Sequence, residues 1–418
     1  LSKNLKYKNS IQHSDLTNIP FVTIDGEDSK DFDDAVWSEC NKKKTKIMIA
    51  IADVSFYVEK GDLIDIEAKK RGNSFYFPNK VIPMLPEELS NNLCSLVPQK
   101  KRMSVVLEID LQDGKVKKFK FYRAVIKSIA RLTYQEAENI FLERNKNNKL
   151  FPIILNLFST FEILRENSKK RNKISFDPDE YVVQTNNKKE INLIKKKKLE
   201  SYKVIEEFMV LANTIVGHYL KSNNIKSVFR NHEKPPSEKT KILKEIISQY
   251  KLNHSGLFNS QHDFNKIIEI FKENKISFLN DMLLRSQSRA FYGTENKGHF
   301  GLSLDYYVHF TSPIRRYSDL VVHRDLIDCY FLKKKNSRIE FTDHLNNQEK
   351  KADSIERVIF DVASSYHLRK FRNYEFNGFI DSVESFGVFI KAINFPFSGL
   401  ARYSRTFGSK YEEKDKHK

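Results

Sequence analysis

Short β-branched runs punctuate the first third of the chain, and helical periodicity takes over later. Phe21-Val-Thr-Ile24, Ile47-Met-Ile-Ala-Ile51 and Ser104-Val-Val-Leu-Glu-Ile109 have the composition of strands with at least one buried face. Thr133-Tyr-Gln-Glu136 carries capping-box spacing and predicts a helix start. Val204, Phe208, Leu211, Ile215 and Tyr219 recur every three or four residues and predict one apolar face of a long helix. Beyond about residue 370 the pattern returns to strands. Phe376 to Ile390 reads as two strands around a Ser-Phe-Gly turn, the first hairpin of a small OB-type barrel that the Lys- and Glu-rich tail cannot complete. Residues 1–20, polar up to Pro20, read as a linker from a missing N-terminal region. The implied fold class is α+β.

Composition narrows the partner. The chain has 418 residues, 40% of them hydrophobic, enough for a sizeable core. Lys and Arg outnumber Asp and Glu by 72 to 54, and a net charge of +18 favours a polyanion, nucleic acid first and an anionic membrane surface second. Cys40, Cys94 and Cys329 form no Cys-x-x-Cys pair, which argues against a zinc ribbon or a disulfide framework and fits a reducing compartment. No signal-peptide layout and no run of about 20 apolar residues is present. A cytoplasmic monomer with no membrane partner is the expectation.

Two segments carry chemistry. The first is Thr23-Ile-Asp-Gly-Glu-Asp-Ser-Lys-Asp-Phe-Asp-Asp34, where a short strand runs into a turn bearing Asp25, Glu27, Asp28, Asp31, Asp33 and Asp34. Carboxylates this dense repel one another, and a folded site that gathers several needs a cation; oxygen donors suit Mg²⁺ or Mn²⁺. A solvated acidic loop is the competing reading. An EF-hand is excluded, since Val36 stands where the twelfth-position Glu would be. The second segment is His309-Phe-Thr-Ser-Pro-Ile-Arg-Arg-Tyr-Ser-Asp-Leu-Val-Val-His-Arg324. Ser312 and Pro313 read as an N-cap and first-turn pair, placing Arg315 and Arg316 in the first turn of a helix as a receptor for phosphate. The local alternative pairs Arg315 with Asp319 and leaves Arg316 on the surface. His309 and His323 read as packing or hydrogen-bonding residues. Metal-binding acids and phosphate-binding arginines belong together in phosphoryl transfer, without separating nuclease from polymerase or RNA from DNA.

At these segments the chain resembles the RNB family, the catalytic domain of ribonucleases II and R, with the ribonuclease R type the nearer likeness. Arg71-Gly-Asn-Ser-Phe-Tyr-Phe-Pro78, Ile82-Pro-Met-Leu-Pro86, Leu89-Ser-Asn-Asn-Leu-Cys-Ser-Leu96 and Gly298-His-Phe-Gly-Leu302 also look like family signatures. The resemblance implies a catalytic domain over 21–369, of mixed sheet and helices around an RNA channel, followed over 370–418 by an incomplete all-β barrel. It implies 3′-to-5′ hydrolysis of single-stranded RNA to nucleoside 5′-monophosphates. Asp25, Asp31, Asp33 and Asp34 would hold Mg²⁺ (or Mn²⁺), with Asp33 the residue whose loss stops cleavage. Arg315, and more weakly Arg316, would stabilise charge on the scissile phosphate. Tyr76 and Phe176 would stack on the terminal nucleotides, Tyr134 and Glu206 would sense ribose, and Glu356 matches a late acid of the family more loosely. The rival expectation is an RNA-binding protein that keeps the fold without turnover.

Overall fold

The computed structural model describes residues 13–403 other than 42, 79, 186–189, 251, 253–257, 335–340 and 394. Residues 1–12 of the segment read as a linker, and the tail after 403, lie outside the described residues. Seven strands build the central sheet: β1 (Ser14–Asp15), β2 (Val22–Asp25), β3 (Asp34–Cys40) and β4 (Lys44–Ala52) come first. A helix, α1 (Leu63–Arg71), and a small hairpin of β5 (Phe75–Phe77) and β6 (Lys80–Ile82) interrupt it, before β7 (Lys101–Gln112), β8 (Lys115–Lys127) and β9 (Ala130–Thr133). Their order across the sheet is β1-β8-β7-β4-β3-β2-β9, antiparallel except for the β1/β8 and β2/β9 pairs. β4 is central and buried on both faces from Ile47 onward, which explains its unbroken apolar run. Asp113 and Gly114, with φ of 50° and 76°, turn β7 into β8 as a left-handed pair that an Asp-Gly dipeptide accommodates.

Residues 13–20 are therefore not a linker. Ser14 and Asp15 pair with Ala124 and Val125, and Leu16 and Ile19 pack on the main core, so apolar anchors in a polar stretch bring it onto the sheet.

Helices then cover the sheet: α2 (Tyr134–Glu143), α3 (Phe151–Lys170) and α4 (Glu200–Ser222). The capping box forms as expected, with Thr133 and Glu136 exchanging side-chain and backbone hydrogen bonds. α3 lies against β3 and is pinned there by Thr160 Oγ1 donating to Ser38 Oγ at 3.0 Å. On α4, Val204, Phe208 and Ile215 are buried, Leu211 and Tyr219 partly so. A hairpin of β10 (Tyr181–Thr185) and β11 (Ile191–Lys195) lies between α3 and α4, and β12 (Phe229–Asn231) follows α4. A second apolar cluster, including Leu243, Phe264, Ile267 and Leu283, joins α5 (Ser237–Gln249), α6 (Gln261–Glu273) and α7 (Asn280–Ser286). After β13 (Phe291–Gly293), which pairs with β12, come α8 (Tyr317–Leu326) and α9 (Thr342–Leu368). The chain then forms an open antiparallel sheet of β14 (Gly378–Glu384), β15 (Gly387–Ala392) and β16 (Ser398–Arg402), with no closed barrel among the described residues. It docks on α7 through the Arg285–Asp381 and Lys391–Asp281 ion pairs. Among the described residues no helix is long and apolar enough to cross a membrane.

Candidate active site

β2 and β3 carry the acidic turn between them, and its backbone is held from several sides. Arg131 donates to Gly26 O at 2.5 Å and Glu27 O at 2.8 Å, and Ser95 Oγ accepts from Phe32 N and donates to Lys30 O. The Leu89–Leu96 segment thus acts as a clamp on the acids, itself fixed by Arg102, which donates to Ser95 O and Asn92 Oδ1. Asp25, Asp31, Asp33 and Asp34 line one cavity of about 510 Å³, whereas Glu27 and Asp28 point to solvent. Asp25 accepts from Gly26 N at 2.7 Å and Ser29 Oγ at 3.1 Å. Asp33 is buried and accepts from Ile314 N at 2.8 Å, with Arg315 Nε 3.5 Å from its other oxygen. The two motifs from opposite halves of the chain meet here.

The arginine turn departs from the expected helix start. α8 begins at Tyr317, and Arg316 is extended at φ −133°, ψ 125°. Strand-like bonds to a distant segment hold it so: Ser74 N donates to Arg315 O, Tyr317 N donates to Gly72 O, and Arg316 pairs in an isolated bridge with Asn73. The Arg71–Pro78 signature therefore decides where the helix begins, against the local Ser-Pro cap signal. The pairing of the arginines is also the reverse of the local reading. Arg316 binds Asp319 through Nε at 2.9 Å and Nη2 at 2.8 Å, while Arg315 faces the acids and donates to Ser312 Oγ at 3.0 Å. Arg316 still lines the cavity, with its guanidinium committed to Asp319. His309 Nδ1 meets the Tyr292 hydroxyl at 2.9 Å, and His323 stacks on Phe310 and bonds its carbonyl through Nε2 at 2.8 Å.

Around the acids stand Tyr76, Tyr134 and Glu206, all three in the same cavity. Tyr76, on β5, donates its hydroxyl to Asp31 Oδ2 at 3.1 Å and is exposed as a residue (39%), so an aromatic side chain stands at the rim. Tyr134 packs on Tyr202, ring centres 4.2 Å apart, at the start of α2. Glu206 is tethered by Lys173, which also binds Glu207 at 2.9 Å. Phe176 is not brought to this cavity. Its segment is fixed by Ile174 N donating to Gly301 O and Ser175 N to Asn265 Oδ1, and the ring packs on the α5–α7 core in an adjoining cavity that shares the Glu206 wall. Glu356, exposed on α9, lines a third cavity behind Tyr76, Arg315 and Arg316. Asn213, which the sequence reading did not single out, is buried on α4 and joins two walls: it donates to the Tyr307 hydroxyl at 3.2 Å and accepts from Phe310 N at 2.9 Å. A lone Asn within an apolar helix run was the available signal.

Electrostatically the site is short of positive charge. Burial raises the Asp33 carboxyl well above its ordinary range, opposed by Arg315 and the Ile314 amide and reinforced by Asp31 and Asp34. Burial, then Asp25, pushes Asp34 up to about 7 despite Arg315; burial also raises Asp25. Such a donor set suits a hard cation. Among the described residues no three Asp, Glu, His or Cys side chains close on one point, so the acids form an open wall rather than a finished cage. A pH prediction follows. A carboxyl whose folded value is raised stabilises the fold while protonated, and that contribution is lost as pH climbs through the folded value. In EDTA, the Asp34→Asn variant gains stability relative to the parent as pH rises from about 4 to about 7. The comparison is differential because several buried histidines, His299 among them, favour the fold in the opposite direction. Thermal melting of both proteins across this range checks it; parallel curves would contradict the assigned burial.

The RNB domain profile matches residues 13–331. The chain belongs to the RNB domain family. Within this RNB chain, curated relatives named Ribonuclease R align over most of the length: that of Escherichia coli is 36% identical over 93% of this chain and 51% of the relative. The Thermotoga maritima Ribonuclease R is 36% identical over 96% of this chain and 59% of the relative. The solved structure of Mycoplasma genitalium RNase R in complex with ribose methylated single-stranded RNA superposes with a TM-score of 0.88 and 31% identity, covering 93% of this chain and 64% of that one. The chain thus spans about half the length of the curated relatives it matches. The RNB signatures Arg71–Pro78 and Leu89–Leu96 hold the arginine turn and the acidic turn in place, and Gly298–Leu302 anchors the Phe176 segment.

Proposed function

We propose that this chain is a 3′-to-5′ exoribonuclease that hydrolyses single-stranded RNA to nucleoside 5′-monophosphates with Mg²⁺, or Mn²⁺ in its place. The observation that carries this reading is the meeting of Arg315 with Asp33 in the cavity lined by Asp25, Asp31 and Asp34. Asp25, Asp31, Asp33 and Asp34 would hold the metal, which when bound supplies polarisation of a phosphoryl oxygen and activation of water. The chain's own residues do the rest. Arg315, 43% exposed at its side chain, offers its guanidinium to the scissile phosphate and offsets the charge that builds there. The Ile314 amide fixes the Asp33 carboxylate, so that it need not reorient during reaction. Tyr76 presents its ring to a terminal base. Tyr134 and Glu206, which line the same cavity, would read the ribose 2′-hydroxyl. The net charge of +18 supplies sequence-independent attraction for the polymer.

The test uses 5′-labelled single-stranded RNA and the matching DNA, each with Mg²⁺ or EDTA. Shortening of RNA from the 3′ end with Mg²⁺, none in EDTA and none of DNA is the expected result. RNA binding without shortening in Mg²⁺ would instead leave an RNA-binding protein that has lost turnover. Tyr76→Ala should lengthen the final oligonucleotide, resolved on a sequencing gel, because the last bases lose their stacking surface; an unchanged end product removes that role from Tyr76.

A further inference from the structure

Two consecutive arginines stand at this site, and something must decide which of them faces the phosphate. We propose that Asp319 is the positioning residue that makes this choice, sequestering Arg316 and so aiming Arg315 at the acidic wall; the inference rests on the hydrolytic reading above.

Asp319 has no exposed surface and sits in the first turn of α8. An acid at this position of a helix ordinarily reaches back to the N-cap amide. Here the carboxylate reaches further. It accepts from Ser312 N at 2.8 Å, from Arg316 Nε at 2.9 Å and Nη2 at 2.8 Å, and from Ser318 Oγ at 2.9 Å. Four donors converge on one buried carboxylate, and Ser312 and Arg316 of the arginine turn are thereby tied to the helix that follows. The bidentate fork leaves Arg316 little capacity to meet a phosphate. The Ser312 anchor sets the start of the turn, and the turn then presents Ile314 N to Asp33 and Arg315 Nη2 to Ser312 Oγ. Backbone bonds from Gly72 to Ser74 fix the far side of the same turn. Arg315 is thus aimed from both ends, though Asp319 never touches it.

Asparagine at 319 keeps the shape and one acceptor oxygen but turns two N–H donors toward a site that contains only donors. Arg316 loses its ionic partner and competes for the acids. The experiment measures steady-state kcat and KM on RNA with Mg²⁺ for the parent, Asp319→Asn, Arg315→Ala and the double variant. The expected result is a kcat lower by about 10- to 100-fold in Asp319→Asn, the range for residues that orient a reacting group, with KM little changed. Because Asp319 acts through Arg315, the double variant should be no slower than Arg315→Ala alone. Losses that multiply in the double variant would show an independent structural role and overturn the inference, as would an unchanged kcat in Asp319→Asn. Arg316→Lys, which keeps the buried charge and one bond to Asp319, reads the same coupling if Asp319→Asn does not fold: a smaller kcat loss, again absent in the Arg315→Ala background. A parent that hydrolyses no RNA removes the proposed function and this inference together; an active parent with multiplying losses removes the inference alone.

Discussion

Asp33→Asn is expected to bind RNA and to release monophosphate more than about 100-fold more slowly than the parent, beyond the range seen for mere outer-shell partners of a metal. The reasoning is that Asp33 is the most buried acid of the wall and the one acid that meets both the Ile314 amide and the Arg315 guanidinium. Asparagine keeps an oxygen for the Ile314 amide, so the turn should hold its shape. It also removes a carboxylate whose ionisation is opposed by burial. The metal-free variant should therefore melt no lower than the parent at pH 8, while activity collapses. A functional group that costs stability when no cation is present is the signature of a site built for chemistry. Residual turnover near the parent level would remove Asp33 from the centre of the mechanism.

Arg315→Ala is the second large effect. Its guanidinium is partly exposed and makes one contact to Ser312 Oγ and one to Asp33, so truncation leaves the core untouched. Loss of a preorganised donor to charge that develops in the transition state costs on the order of 10²–10³ in kcat. KM should move less, since the general basic surface still attracts the polymer. Arg316→Ala should behave differently. It strands the buried Asp319 carboxylate and should lower the unfolding free energy by the penalty of an unpaired buried charge, about 3–5 kcal/mol, with a matching drop in melting temperature. Melting curves and single-turnover rates measured together separate the two arginines. Equal rate losses with equal stability would contradict the division of labour described here.

What the sequence made legible was local. The strand that enters the acidic run, the capping box at Thr133 and the apolar stripe of α4 each depend on neighbours within one element, and each formed as read. What escaped depended on distant backbone. Ser312 and Pro313 have the chemistry of a helix start, yet Gly72 and Ser74 draw the next residues into extended pairing and delay α8 to Tyr317. Spacing offers Arg315 and Arg316 alike to Asp319, at i+4 and i+3, and the pairing with Arg316 goes with an extended conformation there that no local signal announces. Phe176 is one aromatic among many in the sequence. Its place beside the α5–α7 core is set by Gly301 and Asn265, far along the chain. Residues 13–20 look polar as a stretch, but Leu16 and Ile19 suffice to fold them onto the sheet. The parallel pairings of β1 with β8 and of β2 with β9 leave no periodic trace in either partner.

Cation and phosphate have to meet between the acidic wall and Arg315. A crystal of the parent chain grown with Mn²⁺ and an RNA whose terminal linkage resists hydrolysis tests it directly, through the anomalous signal of the metal. The account predicts Mn²⁺ about 2.0–2.2 Å from carboxylate oxygens of the Asp25–Asp34 wall, with the scissile phosphate hydrogen-bonded to Arg315. Manganese bound elsewhere, or a phosphate seated away from Arg315, would contradict it.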